Sequence, residues 1–228
     1  MDNQEQMRSA SVFLHGSYPT EQAEFYRRAI VNNREGRLVI AADGGLMLFE
    51  SLELKPDLIV GDFDSVDPTV LQKYNDIEMI RYPERKDATD GELAIRAALE
   101  RGGDDIELYG AIDTRYETDH LLANLLLLKL ARGLMKGPAT ARSVRAVDHR
   151  QHIYLVENEK LQLAGKSGDF VSIIPLNEKI AVSITGVEWE LDKREVTMGS
   201  TWTLRNRFAS SSADIAIAGT ALVVHRHS

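Results

Sequence analysis

From Ser11 to about Met135, short apolar, β-branched runs alternate with longer stretches of helical period, and no other feature restricts the fold as much. Such alternation is how a parallel sheet with helices packed on its faces reads, because each strand is followed by a crossover that returns the chain to the same sheet end. The pattern predicts strands at Ser11 to His15, Leu38 to Ala42, Leu58 to Val60, Ile77 to Arg81 and Ile106 to Tyr109. Between them it predicts helices at Glu21 to Asn32, Leu46 to Leu52, Asp67 to Tyr74, Asp90 to Arg101 and Asp119 to Leu134. Gly102-Gly103 is a stop signal for the fourth of these.

After Met135 the texture changes. Lys136 to Arg150 carries Gly137, Pro138 and the cations Lys136, Arg142, Arg145 and Arg150, and it reads as a linker or the start of a new domain. Beyond it come short runs with strand character: Gln151 to Val156, Phe170 to Pro175, Ala181 to Ile184, Val187 to Leu191, Trp202 to Leu204, Ile215 to Ile217 and Ala221 to Val224. Even spacing of short strands without a long helical period suggests a sandwich or barrel. The expectation is an α/β, parallel-sheet N-terminal domain over residues 1–137 and a small all-β sandwich over 138–228. The 228 residues suffice for two such domains.

Several function classes are excluded or disfavoured. The chain has no cysteine, which removes disulfides, thiolate metal sites and cysteine nucleophiles. Its net charge of −8 argues against a broad nucleic-acid surface. No apolar run approaches the roughly 20 residues that span a bilayer. Met1 to Gln6 is polar and acidic, unlike a secretory signal, so the expected location is cytoplasmic, with no membrane partner.

Four motifs carry candidate chemistry, each at the carboxyl end of a predicted strand, where open α/β sheets bind ligands. Asp43-Gly44-Gly45 follows the second strand; its glycines would let backbone amides approach a phosphate, or form a plain strand-to-helix turn. Asp62-Phe63-Asp64-Ser65 follows the third strand. Carboxylates at i and i+2 of extended chain share a face, so Asp62 and Asp64 suit one hard cation, or else a solvated loop with a helix cap. Lys86-Asp87-Ala88-Thr89-Asp90-Gly91-Glu92 follows the fourth; Thr89 and Glu92 fit a capping box, which leaves the second acidic cluster unexplained. If these strand ends lie side by side, Asp43, Asp62, Asp64, Asp87 and Asp90 converge, and such a cluster asks for Mg²⁺ and a polyphosphate. The fourth motif runs from Gly110 to Leu125 and includes Arg115, Asp119, His120 and Asn124; an amide in an apolar helix face needs partners.

In this order the motifs resemble the thiamine pyrophosphokinase (thiamine diphosphokinase) family over most of the first 135 residues, and Thr185 to Leu191 with Gly199 to Asn206 look like that family's thiamine-binding hairpin. The resemblance implies a Rossmann-like domain followed by a β-sandwich, a homodimer with thiamine near the subunit boundary, and transfer of the β,γ-diphosphoryl unit of ATP to thiamine with release of AMP. It implies Mg²⁺ held by Asp62, Asp64, Thr89 and Asp90, and an ATP site with Asp43, Gly44, Gly45, Arg115, His120 and Asn124. Lys86 and Asp87 would flank the reacting groups, with Asp90 or Asp119 accepting the hydroxyl proton. Trp189 would stack on thiamine, with Thr203 and Asn206 as polar contacts; alternatively Trp189 is sandwich core.

The chain departs from the family pattern in two places. Asp113-Thr114-Arg115-Tyr116-Glu117-Thr118 replaces a glycine-rich loop, and Arg205 and Arg207 stand where smaller residues are usual, beside a cationic substrate. These departures keep three other readings in view: a diphosphotransferase for another heteroaromatic alcohol such as a hydroxymethyl pterin, a non-catalytic nucleotide or thiamine sensor, and a glycosyltransferase using Asp62-Phe63-Asp64.

Overall fold

The computed structural model describes residues 8–32, 36–112, 117–136 and 142–228. The chain divides into two compact units, 1–149 and 150–228.

In the first unit, strands β1 (Arg8–Phe13), β2 (Arg37–Ala42), β3 (Leu58–Gly61), β4 (Glu78–Arg81), β5 (Gly103–Tyr109) and β6 (Ser143–Val147) form a parallel sheet in the order β6-β5-β1-β2-β3-β4. Helices α1 (Ala23–Val31), α2 (Leu46–Leu52), α3 (Pro68–Gln72), α4 (Asp90–Glu100) and α5 (Thr118–Leu134) fill the crossovers. Both sheet faces are buried, which is why the strands read as continuous apolar runs. On one face Phe13, Val39, Ala41 and Ile59 join a core with Tyr26, Ile30, Leu46 and Phe49. On the alternate positions Val12, Ile40, Val60 and Ile106 are equally buried, and α4 packs on β1, β2, β3 and β5. Ala94, Ala97 and Ala98 give α4 a small-residue face that lets it lie close to the sheet, with Ile95 buried beside them.

Residues read as a linker contribute β6 instead, paired parallel to β5. Its signal was masked by Arg145, a cation in a strand otherwise too short to show a period. Arg145 is largely buried because it pairs with two carboxylates of β5, Nη2 reaching Glu107 Oε1 at 2.6 Å and Nη1 reaching Asp105 Oδ1 at 2.8 Å. Arg37 pairs with Glu107 from the other side, and Tyr109 donates to it at 2.9 Å. Burial alone would push the Glu107 carboxyl up, but Arg145 and Arg37 together hold it below its usual range. Glu107→Ala therefore leaves two largely buried guanidinium groups short of their shared carboxylate, and about 3 kcal/mol of stability should be lost in urea unfolding. The sign with pH follows: a depressed carboxyl contributes stability above its unfolded pKa and loses it as pH falls, so wild type and variant should converge in acid.

The second unit is antiparallel. One sheet has the order β12-β9-β14-β7, from β7 (Gln151–Glu157), β9 (Phe170–Pro175), β12 (Asn206–Arg207) and β14 (Thr220–Arg226). The other has the order β11-β10-β13-β8, from β8 (Lys160–Ala164), β10 (Lys179–Thr185), β11 (Leu191–Thr197) and β13 (Ser212–Ala218). Alternate residues such as Leu163, Val171, Val182, Val196, Ile215 and Val223 form their common core. Two expected strands are absent. Val187 makes only an isolated bridge to Phe208 before the chain turns into β11, and Trp202 to Leu204 is a turn. Val187 is sandwich core, but Trp189, Leu191, Trp202 and Leu204 line a surface pocket, so their hydrophobicity does not report strand burial. No helix is long and apolar enough to cross a membrane among the described residues.

Candidate active site

Because β2 and β3 are adjacent and parallel, the residues that follow them emerge side by side. Asp43 begins a single 3₁₀ turn after β2, with φ 44°, in the left-handed region. It fits because Gly61, at the end of β3, has no side chain: a Cβ there would stand 3.1 Å from Asp43 Cβ. Gly45 is fixed by a close approach of the same kind, since a Cβ would lie 2.1 Å from the Phe13 carbonyl oxygen. The Asp-Gly-Gly turn thus tucks the start of α2 under the end of β1.

Asp43, Asp62 and Asp64 each bring one carboxylate oxygen into a group whose members all lie within 4.8 Å of one another. Asp43 is 7% exposed; its Oδ2 accepts from the Ser65 hydroxyl, while its buried Oδ1 has no hydrogen-bond partner. An orphaned carboxylate oxygen beside two further carboxylates is an electrostatic deficit that a hard divalent cation removes, so the donor set fits such an ion. The charges also act on each other. Asp64 is raised above its usual carboxyl pKa, chiefly by Asp62. Asp62 is lowered, chiefly by its hydrogen bond from Lys86.

Among the described residues, Lys86 is the one ammonium paired within this cluster. Its Nζ reaches Asp62 Oδ2 at 2.5 Å and stands 2.8 Å from Asp90 Oδ1, a contact too poorly angled for a hydrogen bond, so that buried oxygen also lacks one. Burial depresses Lys86, but the negative charges of Asp62 and Asp90 beside it outweigh this and raise its pKa. Asp90 is raised, chiefly by burial. Arg81 closes the outer side, donating to the Asp62 carbonyl at 3.1 Å while its guanidinium lies 4.7 Å from the centre of the Phe63 ring.

The expected convergence is therefore narrower than the sequence suggested. Asp43 joins Asp62 and Asp64, Asp90 is linked to them through Lys86, and Asp87 is exposed and outside the group. Thr89 is the N-cap of α4, its Oγ1 accepting from the Glu92 amide at 3.3 Å. Only half of a capping box forms, because the Glu92 carboxylate pairs with Arg96. Asp119 and His120 are exposed on the first turn of α5, Asp119 Oδ1 accepting from the His120 amide at 3.0 Å. Asn124 is half-buried and donates to the Ala111 carbonyl at 3.4 Å. Arg115 and its neighbours 113–116 lie outside the described residues.

In the second unit a pocket is lined by Val171, Ile173, Trp189, Trp202, Thr203 and Asn206, among others. Trp189 is 63% exposed, which overturns its reading as sandwich core. Asn206 holds the tryptophan's backbone at both ends, accepting from the Trp189 amide at 3.1 Å and donating to its carbonyl at 2.8 Å. Thr203 is buried and donates to the Ile173 carbonyl at 2.7 Å. Glu188, Glu190 and Asp192, with Arg194 as the one cation among the described residues, line the adjoining groove. Arg205 and Arg207 turn to Phe170, their guanidinium carbons 4.8 and 5.1 Å from the ring centre. Sequence reasoning gave Ser65 only the part of a helix cap, whereas its hydroxyl steadies Asp43, and it gave no role to Trp202, half exposed in the pocket of Trp189. Trp202 had a signal, a large aromatic among turn residues; Ser65 had none beyond its place after Asp64.

Residues 32–135 match the family model described as "Thiamin pyrophosphokinase, catalytic domain", and residues 153–222 match that of the "vitamin B1 binding domain" of the same enzyme. The thiamine pyrophosphokinase of Bacillus subtilis (strain 168) is 29% identical over 199 residues, covering 84% of this chain and 88% of its own. The crystal structure of thiamine pyrophosphokinase from Bacillus subtilis superposes with a TM-score of 0.79 at 23% identity, over 97% of this chain and 99% of that one. The thiamin pyrophosphokinase structure from Geobacillus thermodenitrificans gives 0.75 at 25% identity, over 96% and 97%. Two models matched in sequence order, one for each structural unit, agree with an acidic strand-end cluster in the first unit and an aromatic, acid-rimmed pocket in the second: this chain belongs to the thiamine pyrophosphokinase family.

Proposed function

We propose that the protein acts in the cytoplasm as a thiamine diphosphokinase, moving the terminal diphosphoryl unit of ATP to the hydroxyethyl oxygen of thiamine and releasing AMP. The observation that carries the metal-assisted part is the buried, partnerless Oδ1 of Asp43 beside Asp62 and Asp64. Those three residues would hold Mg²⁺. When bound, the ion supplies neutralisation of charge on the phosphoryl oxygens.

The chain's own residues do the rest. Lys86, oriented by Asp62 and Asp90, offers an ammonium to a polyphosphate oxygen. Asp90 is the better general base than Asp119, because it shares Lys86 with the cluster while Asp119 is exposed and bonded to its own helix. Asp87, Thr89, Gly44, Gly45, Arg115, His120 and Asn124 stand in the proposal as residues around the nucleotide. Thiamine would lie on Trp189 and Trp202, its positive charge facing Glu188, Glu190 and Asp192. Asn206 and Thr203 act there by fixing the pocket wall. Arg205 and Arg207, drawn to Phe170, no longer argue for another acceptor. The proposal includes a homodimer, supported by Leu122 and Leu126, exposed one turn apart on α5; light scattering on the purified protein checks it.

Phosphorus NMR of protein, ATP, Mg²⁺ and thiamine should show AMP and thiamine diphosphate rising together. Intact ATP in that mixture would overturn the proposal. Trp189→Ala should raise the thiamine KM about tenfold with the ATP KM little changed, since stacking and cation-π contact are worth about 1–2 kcal/mol. An unchanged thiamine KM would remove Trp189 from the acceptor site.

A further inference from the structure

A second constellation of metal-binding side chains lies in the second unit, unused by the chemistry above. His225 lies near the end of β14 and His227 follows the strand directly, their ring centroids 4.7 Å apart. Asp169 immediately precedes β9, the strand beside β14. Its Oδ2 is 3.1 Å from His225 Nε2 and 3.7 Å from His227 Nδ1. The Asp169 and His225 side chains are each 2% exposed, whereas His227 is 40% exposed and opens the cluster to solvent.

We propose that Asp169 Oδ2, His225 Nε2 and His227 Nδ1 form a site for Zn²⁺ or a similar first-row ion, with a fourth position left to water. Ligands of a tetrahedral zinc at about 2.1 Å stand about 3.4 Å apart, and the two observed separations from Asp169 straddle that value. Two borderline imidazole donors beside one hard carboxylate suit zinc better than Mg²⁺. Gly165 packs closely against the donors: a Cβ at that position would fall 2.9 Å from Phe208 Cε1, 3.0 Å from Asp169 Oδ2 and 3.1 Å from His225 Nε2, so any side chain there would press on both donor atoms. The shell behind the donors is also in place. The Ser228 amide donates to Asp169 Oδ1 at 2.9 Å, and the His225 ring stacks on Phe208 with centroids 4.9 Å apart. A bound ion would tie the turn before β9 to the end of β14, which makes its role one of stabilising the second unit.

The test uses the full chain without an affinity tag, stripped with chelator and held in excess Mg²⁺ to occupy the carboxylates of the first unit. Calorimetric titration with Zn²⁺ should give one ion per chain and a higher melting temperature, and Co²⁺ should give the strong visible bands of a tetrahedral ion. His227→Ala, at a solvent-facing position, should fold normally by circular dichroism and bind roughly 100-fold more weakly. Asp169→Asn should lose the site altogether; should that variant fail to fold, His227→Ala decides. Absence of saturable zinc binding, or wild-type affinity in His227→Ala, overturns the proposal.

Discussion

Asp62→Asn should lower kcat by about 10³-fold while the protein stays folded. Asp62 is where three demands meet: its Oδ2 takes Lys86, its Oδ1 accepts from the Asp64 amide at 3.3 Å, and the same carboxylate stands within 4.8 Å of Asp43 and Asp64. An amide of the same shape keeps the backbone contact but removes the negative charge and one acceptor, so the divalent ion loses affinity and Lys86 swings toward Asp90 alone. Asp64→Asn removes a charge of the same group from an exposed position, so it should weaken Mg²⁺ dependence comparably with still less effect on folding. The pair separates site from scaffold. Magnesium titrations of initial rate, with melting curves alongside, are the measurement. Full activity in either variant, or unfolding of both, would sink the assignment.

How much of this could be read from the sequence depended on whether a signal was local. β2, α2 and β3 are apolar runs with clear boundaries, and their predicted positions match the structure to within one residue. The strand at Phe170–Pro175 coincides with its expectation for the same reason. By contrast β6 and β8 were invisible. Arg145 in β6 and the alternating Lys160, Gln162 and Ala164 in β8 are tolerated because one side of each strand reaches a partner that sequence does not display, an acidic neighbour in the first case and solvent in the second. The site divided in the same way. Asp62 and Asp64 announce themselves by spacing, but the inclusion of Asp43 depends on Gly61 lying opposite it, and the exclusion of Asp87 depends on the direction of one exposed turn. Convergence of residues from different strands is a property of register, which no single motif encodes.

Lys86→Met gives the second large effect, and it distinguishes a catalytic ammonium from a mere counter-charge. In the folded protein Lys86 offsets Asp62 and Asp90, and its removal leaves Asp43, Asp62, Asp64 and Asp90 without their paired cation. A divalent ion then meets a more negative site, so the Mg²⁺ concentration for half-maximal rate should fall, even though Asp62 no longer has the hydrogen bond that keeps its pKa low. The rate should move the opposite way. A donor aimed at developing phosphoryl charge is worth about 10²-fold in kcat, and a methionine of similar length restores the packing but not the charge. Tighter metal dependence with kcat reduced about 10²-fold, unrelieved by excess Mg²⁺, is the expected split. Were Lys86 only a counter-charge, saturating Mg²⁺ would restore kcat, because the ion itself would supply the missing neutralisation. The double variant Lys86→Met with Asp62→Asn should then be little slower than Asp62→Asn alone, since groups that act as one unit do not lose their contributions additively.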